Sequence, residues 1–435
     1  MPTNLRFNWA THQHLVRSTR VVLALASTLL FCGLSTGRSA PTTAWVSGPK
    51  PEVTDYYVSP AGNDFNDGSQ SAPWRTIQYA ANHIPPGAMV HVAPGTYAEA
   101  VDINIKGTTS ANPIWFVSDT QWAAKVTGTI SSNYTFYVES DYVGIAGFEI
   151  TDSNPSEHEG IIAIGSYFYA VGNKVHDIAQ IGGSDGLGGA GILLGNDQGV
   201  GKSCCGYALE NIVYNIGNFT IPWASIHGIY IEEPYGVIAN NITYENQGCG
   251  IQLWHNPSNI VVANNTIFNN GLCGIVIGAT FTPPDSIADY NDVFNNIVVY
   301  NGTNSDANCG IWEDGNTGTH NHYPNNLAYR NNPGGTSDFC LLNGNTAPNS
   351  VVTDPLFVNY KADGAGDYHL QSTSPAIDSG VNYLGYGPTI DFAGGSRPIG
   401  TAWDIGAYEF GSPPAPWPWP TPSASAGDPD LLAIP

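Results

Sequence analysis

Positive charge is scarce in this chain: 13 Lys and Arg stand against 36 Asp and Glu, for a formal net charge of −23. Four of those 13, Arg6, Arg17, Arg20 and Arg38, precede residue 45. Phosphate backbones are bound through basic surface, so no nucleic-acid partner is expected. Charge of either sign is also rare, at 11% of residues. A long apolar run is lacking as well: the stretch from residue 21 to 31 is too short to span a bilayer. It follows Arg17 and Arg20 and leads into small residues up to Ala44, which is the order of a cleaved export signal. The mature protein is therefore expected outside the cell or on its surface, as a monomer with no membrane partner.

What the chain does have is turn chemistry and repetition. It holds 50 glycines, and Asn recurs at the ends of short apolar runs. From residue 228 it reads GIYIEEPYGVIANNITYENQG, then from 250 GIQLWHNPSNIVVANNTIFNNG, then GIVIG. Asn241 and Asn265 stand 24 residues apart, and so do Gly250 and Gly274. Two markers with one period mean a stacked repeat, and alternation within each unit is that of strands. Short strands closed by Asn and Gly corners wind a β-solenoid. Corners fall at Asn173, Asn211, Asn241, Asn265, Asn296 and Asn326, where stacked amides are expected to satisfy backbone groups from coil to coil. Gly-Ile strands start at Gly160, Gly191, Gly228, Gly250, Gly274 and Gly310. Insertions after Leu194, before His227 and after Gly278 flank that sheet and are expected to wall its face.

The cysteines beyond the export signal are Cys204, Cys205, Cys249, Cys273, Cys309 and Cys340. Three of them, Cys249, Cys273 and Cys309, each precede a Gly-Ile pair and so share one column. Strands about 4.8 Å apart suit the Cα distance of a disulfide, but parallel side chains leave the Cβ atoms too far apart for a relaxed one. The column is expected as buried small residues without bridges, facing inward together with His227.

Residues 74–84 place Ile77, Ala80, Ala81 and Ile84 at helical spacing, stopped by Pro85-Pro86-Gly87. A short helix there would cover the first coil of the solenoid. The segments YYVSPAGND, PWRTIQYAA, GTYAEAV and PIWFVS resemble the opening of right-handed parallel β-helix proteins related to the family nine pectate lyases. DPLFVN, GDYHLQSTSPAIDSG and WDIGAYEF resemble the closing segment of secreted bacterial β-helix proteins. The expected fold is thus all-β: a single-stranded right-handed parallel β-helix with a short N-terminal capping helix. Its expected parts are an export signal (1–44), a cap and first coils (45–140), repeats (141–350), a closing segment (351–411) and a Pro-rich tail (412–435).

With Ile229, Ile251, Ile275 and Ile311 inward, alternation turns Tyr230, Glu232, Gln252, Trp254, Val276, Trp312 and Asp314 outward on one face. Aromatic rings beside amides and carboxylates suit a sugar chain, so Tyr230, Gln252, Trp254, Trp312 and Asp314 are candidate polysaccharide contacts. Glu232 and Glu233, with Asp197, are the candidate acid and base of a glycoside hydrolase, and His255 is placed to share a proton with Glu233. The resemblance instead implies a polysaccharide lyase with a basic residue and calcium. Lys202 is then the candidate base, with Asp185 and Asp197 the candidate calcium ligands. The dense acidic cluster of that family is missing here, and the acidic face favours a neutral glycan. A noncatalytic glycan-binding surface protein is the reading from another class.

Overall fold

A computed structural model describes residues 54–417, apart from 153, 155, 157, 182–187, 196–202, 221–224, 282–285, 305–308, 333–336 and 386. Residues 1–44, read above as an export signal, and most of the Pro-rich tail lie outside the described residues. Three parallel sheets of nine strands each run from Thr54 to Cys340, with successive coils contributing a strand to each sheet, and Phe357–Asn359 pairs antiparallel with Asp367–Leu370 beyond them. Ile251 pairs with Ile275, which is the 24-residue register of the repeat, and Ile229 pairs with Ile251 across a coil of 22 residues. The lumen is one continuous apolar core, with Ile192, Ile229, Ile251, Ile275 and Ile311 among its fully buried residues. The helix Ile77–His83 closes one end of this core through Ile77, Ala80 and Ala81. Thr76 caps its N-terminus, and the Glu99 carboxylate accepts the N–H groups of Ile77 and Gln78.

The Asn-Asn corners divide their work. The second Asn of each pair faces in and forms a ladder: Asn211 Nδ2 donates to Asn241 Oδ1 at 3.0 Å, Asn241 to Asn265 at 2.9 Å and Asn265 to Asn296 at 2.9 Å. The same amides donate to backbone carbonyls of the preceding coil, those of Ala208 and Ile238 among them, so these buried carbonyls are met at the corner. The first Asn is left-handed, a conformation Asn tolerates, and turns outward. Asn240, Asn264, Asn295 and Asn325 donate to the carbonyls of Ile390, Asp404, Val381 and Ser379, tying the closing segment to the solenoid. A second ladder, Asn246 to Asn270 to Asn301 to Asn331, stacks at the next corner.

That closing segment lays Phe357, Tyr368, Leu370, Phe392 and Ile405 over the outer face of the third sheet, against Tyr244, Phe268 and Ile297. Its centre is Arg397, whose side chain is fully buried. The guanidinium donates to Glu409 at 2.8 Å and to the carbonyls of Asp404 and Gly406. Further on, the Trp417 indole N–H donates to the Ser118 carbonyl at 2.9 Å, so the start of the Pro-rich segment is docked on the first sheet.

Two expectations are corrected. Disulfides join Cys204 to Cys205, Cys249 to Cys273 and Cys309 to Cys340. The column is bridged because the Cα atoms of Cys249 and Cys273 approach to 4.4 Å, closer than ordinary strand spacing. The column also faces away from the lumen. In each Gly-Ile pair it is the glycine that turns in: a Cβ on Gly250 would meet Thr243 and Ile267 of the third sheet, and one on Gly274 would meet Val298. The residue before the glycine therefore turns out. Cys249 and Cys273 pack with Val276, Trp254 and Trp312, and His227 meets the ring of Tyr230 edge-on at 5.5 Å.

Candidate active site

Register places the candidate residues in outward rows on the Gly-Ile sheet. Tyr230, Gln252, Val276 and Trp312 are successive partners across four coils. Glu232 and Trp254 follow one residue past the pair Ile231 and Leu253, while Gly278 pairs with Asp314. Tyr230, Gln252, Trp254, Trp312 and Asp314 are all half-buried. The Trp254 indole lies across the next coil, where a Cβ on Gly278 would come within 2.3 Å of it. Asp314 accepts the N–H of Gly315 at 2.9 Å, and burial raises its pKa. Both indoles thus pack on the cysteine bridge and Val276 while staying on the outer face.

The glutamates are placed differently from the expectation. Alternation put Glu232 on an open face, yet it is only 4% exposed, and Glu233 3%. Glu232 Oε1 lies 3.6 Å from His255 Nε2, so the histidine pairs with Glu232 and not with Glu233. His255 is the more accessible partner, with a side-chain exposure of 20% against 2% for Glu232. Its ring lies near-parallel to Tyr230, with centroids 6.3 Å apart, and its backbone is left-handed at φ 70°. That corner conformation turns the imidazole back over the preceding coil, which is why it reaches Glu232. His227, expected in the core, is fully buried beside Tyr230 and accepts the N–H of Cys249 on Nδ1 at 3.1 Å. An accepting Nδ1 fixes its proton on Nε2.

Glu233 turns toward the corner that follows the sheet. Its carboxyl accepts from the Ser203 hydroxyl and the Gly206 N–H, and burial pushes its pKa up to about 8, with the charge of Glu232 adding to the rise. At neutral pH it is therefore a neutral acid. Burial also raises Glu210, pushed up to about 7, Asp404, up to about 6, and Asp391. A carboxyl raised in the folded chain binds its proton more tightly there than in the unfolded chain. Its stabilising effect is complete below the ordinary value of 4.5 and is lost as pH climbs through about 8. The melting temperature is expected to fall by about 5–10 °C between pH 5 and pH 8.5. Calorimetry across that range reads it, and Glu233→Gln, which cannot ionise, is expected to flatten the fall.

Lys202, Asp185 and Asp197 lie outside the described residues. Among the described residues no three His, Cys, Asp or Glu side chains converge as metal ligands. The described carboxylates of this face do not fit calcium: Glu232 faces His255, Glu233 accepts from Ser203 and Gly206, and Asp314 accepts from Gly315.

Sequence reasoning missed Glu313. It faces the lumen near the C-terminal end of the solenoid, paired with Ile277, and is 1% exposed. It accepts from Tyr323, Asn321, Asn345 and the Leu342 N–H, closing the apolar core with a fully bonded carboxylate. The signal was its parity with Ile311.

A family model described as a protein of unknown function, DUF1565, matches residues 60–105, the span that holds the capping helix. The crystal structure of pectate lyase Pel9A matches with a TM-score of 0.54 at 18% identity, covering 83% of this chain and 97% of that one. The fold is the pectate-lyase-like right-handed parallel β-helix. In sequence, the chain is 28% identical over 174 residues to Pectate lyase L of Dickeya dadantii (strain 3937), covering 35% of each. It is 32% identical over 120 residues to the uncharacterized protein YwoF of Bacillus subtilis (strain 168), covering 26% of this chain and 25% of that one. The chain thus matches between a quarter and about a third of the length of these relatives.

Proposed function

We propose that the protein is an exported carbohydrate-active enzyme that cleaves a polysaccharide on its Gly-Ile face by lyase-type elimination, with His255 as the base. The observation that carries this reading is the His255–Glu232 pair: an accessible imidazole beside a buried carboxylate, flanked by Tyr230. The Glu232 carboxylate, 3.6 Å from Nε2, holds the ring in place on the outer face and leaves Nδ1 as the nitrogen that can take a proton. The proton removed is the one next to the uronate carboxylate. Its electron pair becomes a carbon–carbon double bond as the bond to the glycosidic oxygen breaks, and the imidazolium can return the proton to the departing oxygen. Tyr230, Gln252, Trp254 and Trp312 would hold the sugar rings in position. The partial likeness to Pectate lyase L supports the substrate class. Three disulfides support an oxidising compartment and so the export reading.

The net charge of −23 and the neutral Glu233 favour a second reading, hydrolysis of a neutral glycan with Glu233 as acid. A panel of uronate and neutral polysaccharides, tested with calcium and with a chelator, separates the two. Elimination is expected to release unsaturated uronides that absorb in the ultraviolet. Reducing sugar without that absorbance would replace elimination by hydrolysis, and saturable binding without any product would leave a glycan-binding protein.

A further inference from the structure

Both hydrogen-bond donors to Glu233 hang on one short span. Ser203 and Gly206 supply them, and between these stand Cys204 and Cys205, bonded to each other. The span is anchored on either side. Cys204 donates its N–H to Ser166 Oγ at 3.2 Å, and its carbonyl accepts the Tyr167 N–H at 3.0 Å. Cys205 donates to the carbonyl of Pro234, the residue after Glu233, at 3.0 Å. It holds a left-handed backbone at φ 67°, unusual for a residue with a Cβ. Gly206 lets the carboxyl approach: a Cβ there would stand 2.4 Å from Glu233 Oε1. The other oxygen, Oε2, is buried with no hydrogen-bond partner among the described residues. Along the same corner column the equivalent left-handed residues are Tyr142, Tyr167, Tyr235, Asn259 and Tyr290, so among these corners Cys205 is the one that is bridged to its neighbour.

We propose that the Cys204–Cys205 disulfide is a reducible positioning device for Glu233: oxidised, it keeps Ser203 and Gly206 on the buried carboxyl, and reduced, it releases them and opens that corner to water. A dithiol supplies the two electrons and two protons. The sulfur–sulfur bond breaks, two cysteine thiols form, and the dithiol is oxidised to its own disulfide. The groups that face Glu233 are Glu232 beside it, just past the strand Ile226–Ile231 and itself facing His255 from the next coil, and Tyr207 on the strand that follows the bridge. Release therefore changes the charge beside the Glu232–His255 pair, which makes the bridge a redox control on the face where catalysis is proposed. The inference rests on that reading for its consequence, but not for its test.

The test is a carbon-13 titration of the glutamate carboxyls in the full chain, with the Glu233 signal assigned by its loss in Glu233→Gln. In the oxidised protein it is expected to titrate near pH 8. In Cys204→Ala/Cys205→Ala the midpoint is expected to drop by at least one pH unit, because burial is the largest cause of the rise. Cys204→Ala/Cys205→Gly, which suits the left-handed corner without a bridge, separates the bridge from the backbone and is expected to drop equally. Wild-type protein treated with a dithiol, with alkylation and mass spectrometry reporting which bridge has opened, provides the same reading without substitution. An unchanged midpoint in folded, bridge-free protein would overturn the proposal. The titration reads Glu233 whether or not any polysaccharide is cleaved, so its failure is distinct from failure of the enzymatic reading. If both hold, opening the bridge also displaces the pH profile of kcat, which a purely structural bridge would not do.

Discussion

His255→Asn is expected to lower turnover of the polysaccharide by about 10²–10⁴-fold while leaving the melting temperature nearly unchanged. Asparagine is the replacement to use because position 255 is left-handed, and Asn adopts that backbone at little cost. The backbone carbonyl that accepts the Ser286 N–H is retained, so the corner should keep its shape. What disappears is the only group of the pair that is both basic and accessible. Glu232→Gln keeps the shape of the partner and the imidazole itself, so its loss in rate should be smaller than that of His255→Asn. Full activity in His255→Asn would remove His255 from the mechanism.

The second large effect concerns stability and lies far from that site. Arg397→Met is expected to destabilise the protein by about 3–5 kcal/mol, because it leaves Glu409 as a buried charge without its cation. The carbonyls of Asp404 and Gly406 lose their donor at the same time. The closing segment should loosen first, since Asn264 reaches it at Asp404 and the Asn295 carbonyl accepts from Gly406. Chemical denaturation reads the loss, and hydrogen exchange across residues 379–409 locates it. Adding Glu409→Leu should recover much of the stability, since replacing both partners of a buried pair costs less than removing one. A single variant as stable as wild type would show that the cluster is not what fastens the segment.

The architecture was legible because a stacked repeat writes itself twice, once in apolar alternation and once in its corners. The markers at Asn241 and Asn265 became rungs of one amide ladder, and the register drawn from Ile229 to Ile251 is the pairing of the strands. Side-chain direction was less legible where the chain turns. Simple alternation carried back from Ile229 makes His227 and Cys249 inward, but the glycine between takes the inward place at the corner and reverses the parity. The disulfide of Cys249 escaped for a related reason, since rigidly parallel side-chain vectors ignore how closely two coils can approach. Burial of Glu232 and Glu233 was out of reach as well. Alternation reports which side a residue is on, and Glu233 is buried by Ser203–Gly206, which belongs to an insertion with no periodicity to read. The pairing of His255 with Glu232 followed from a backbone conformation that histidine rarely adopts.

The central claim is that sugar binds on the Gly-Ile face at Tyr230, Glu232 and His255. Hydrogen exchange of His255→Asn, with and without the polysaccharide that the wild-type protein cleaves, tests it most directly, because the inactive variant should hold its substrate intact. The account predicts slowed exchange in residues 229–236 and 251–259, at the ends of the strands Ile226–Ile231 and Cys249–Leu253. Saturable binding with protection confined to the other two sheets would contradict it.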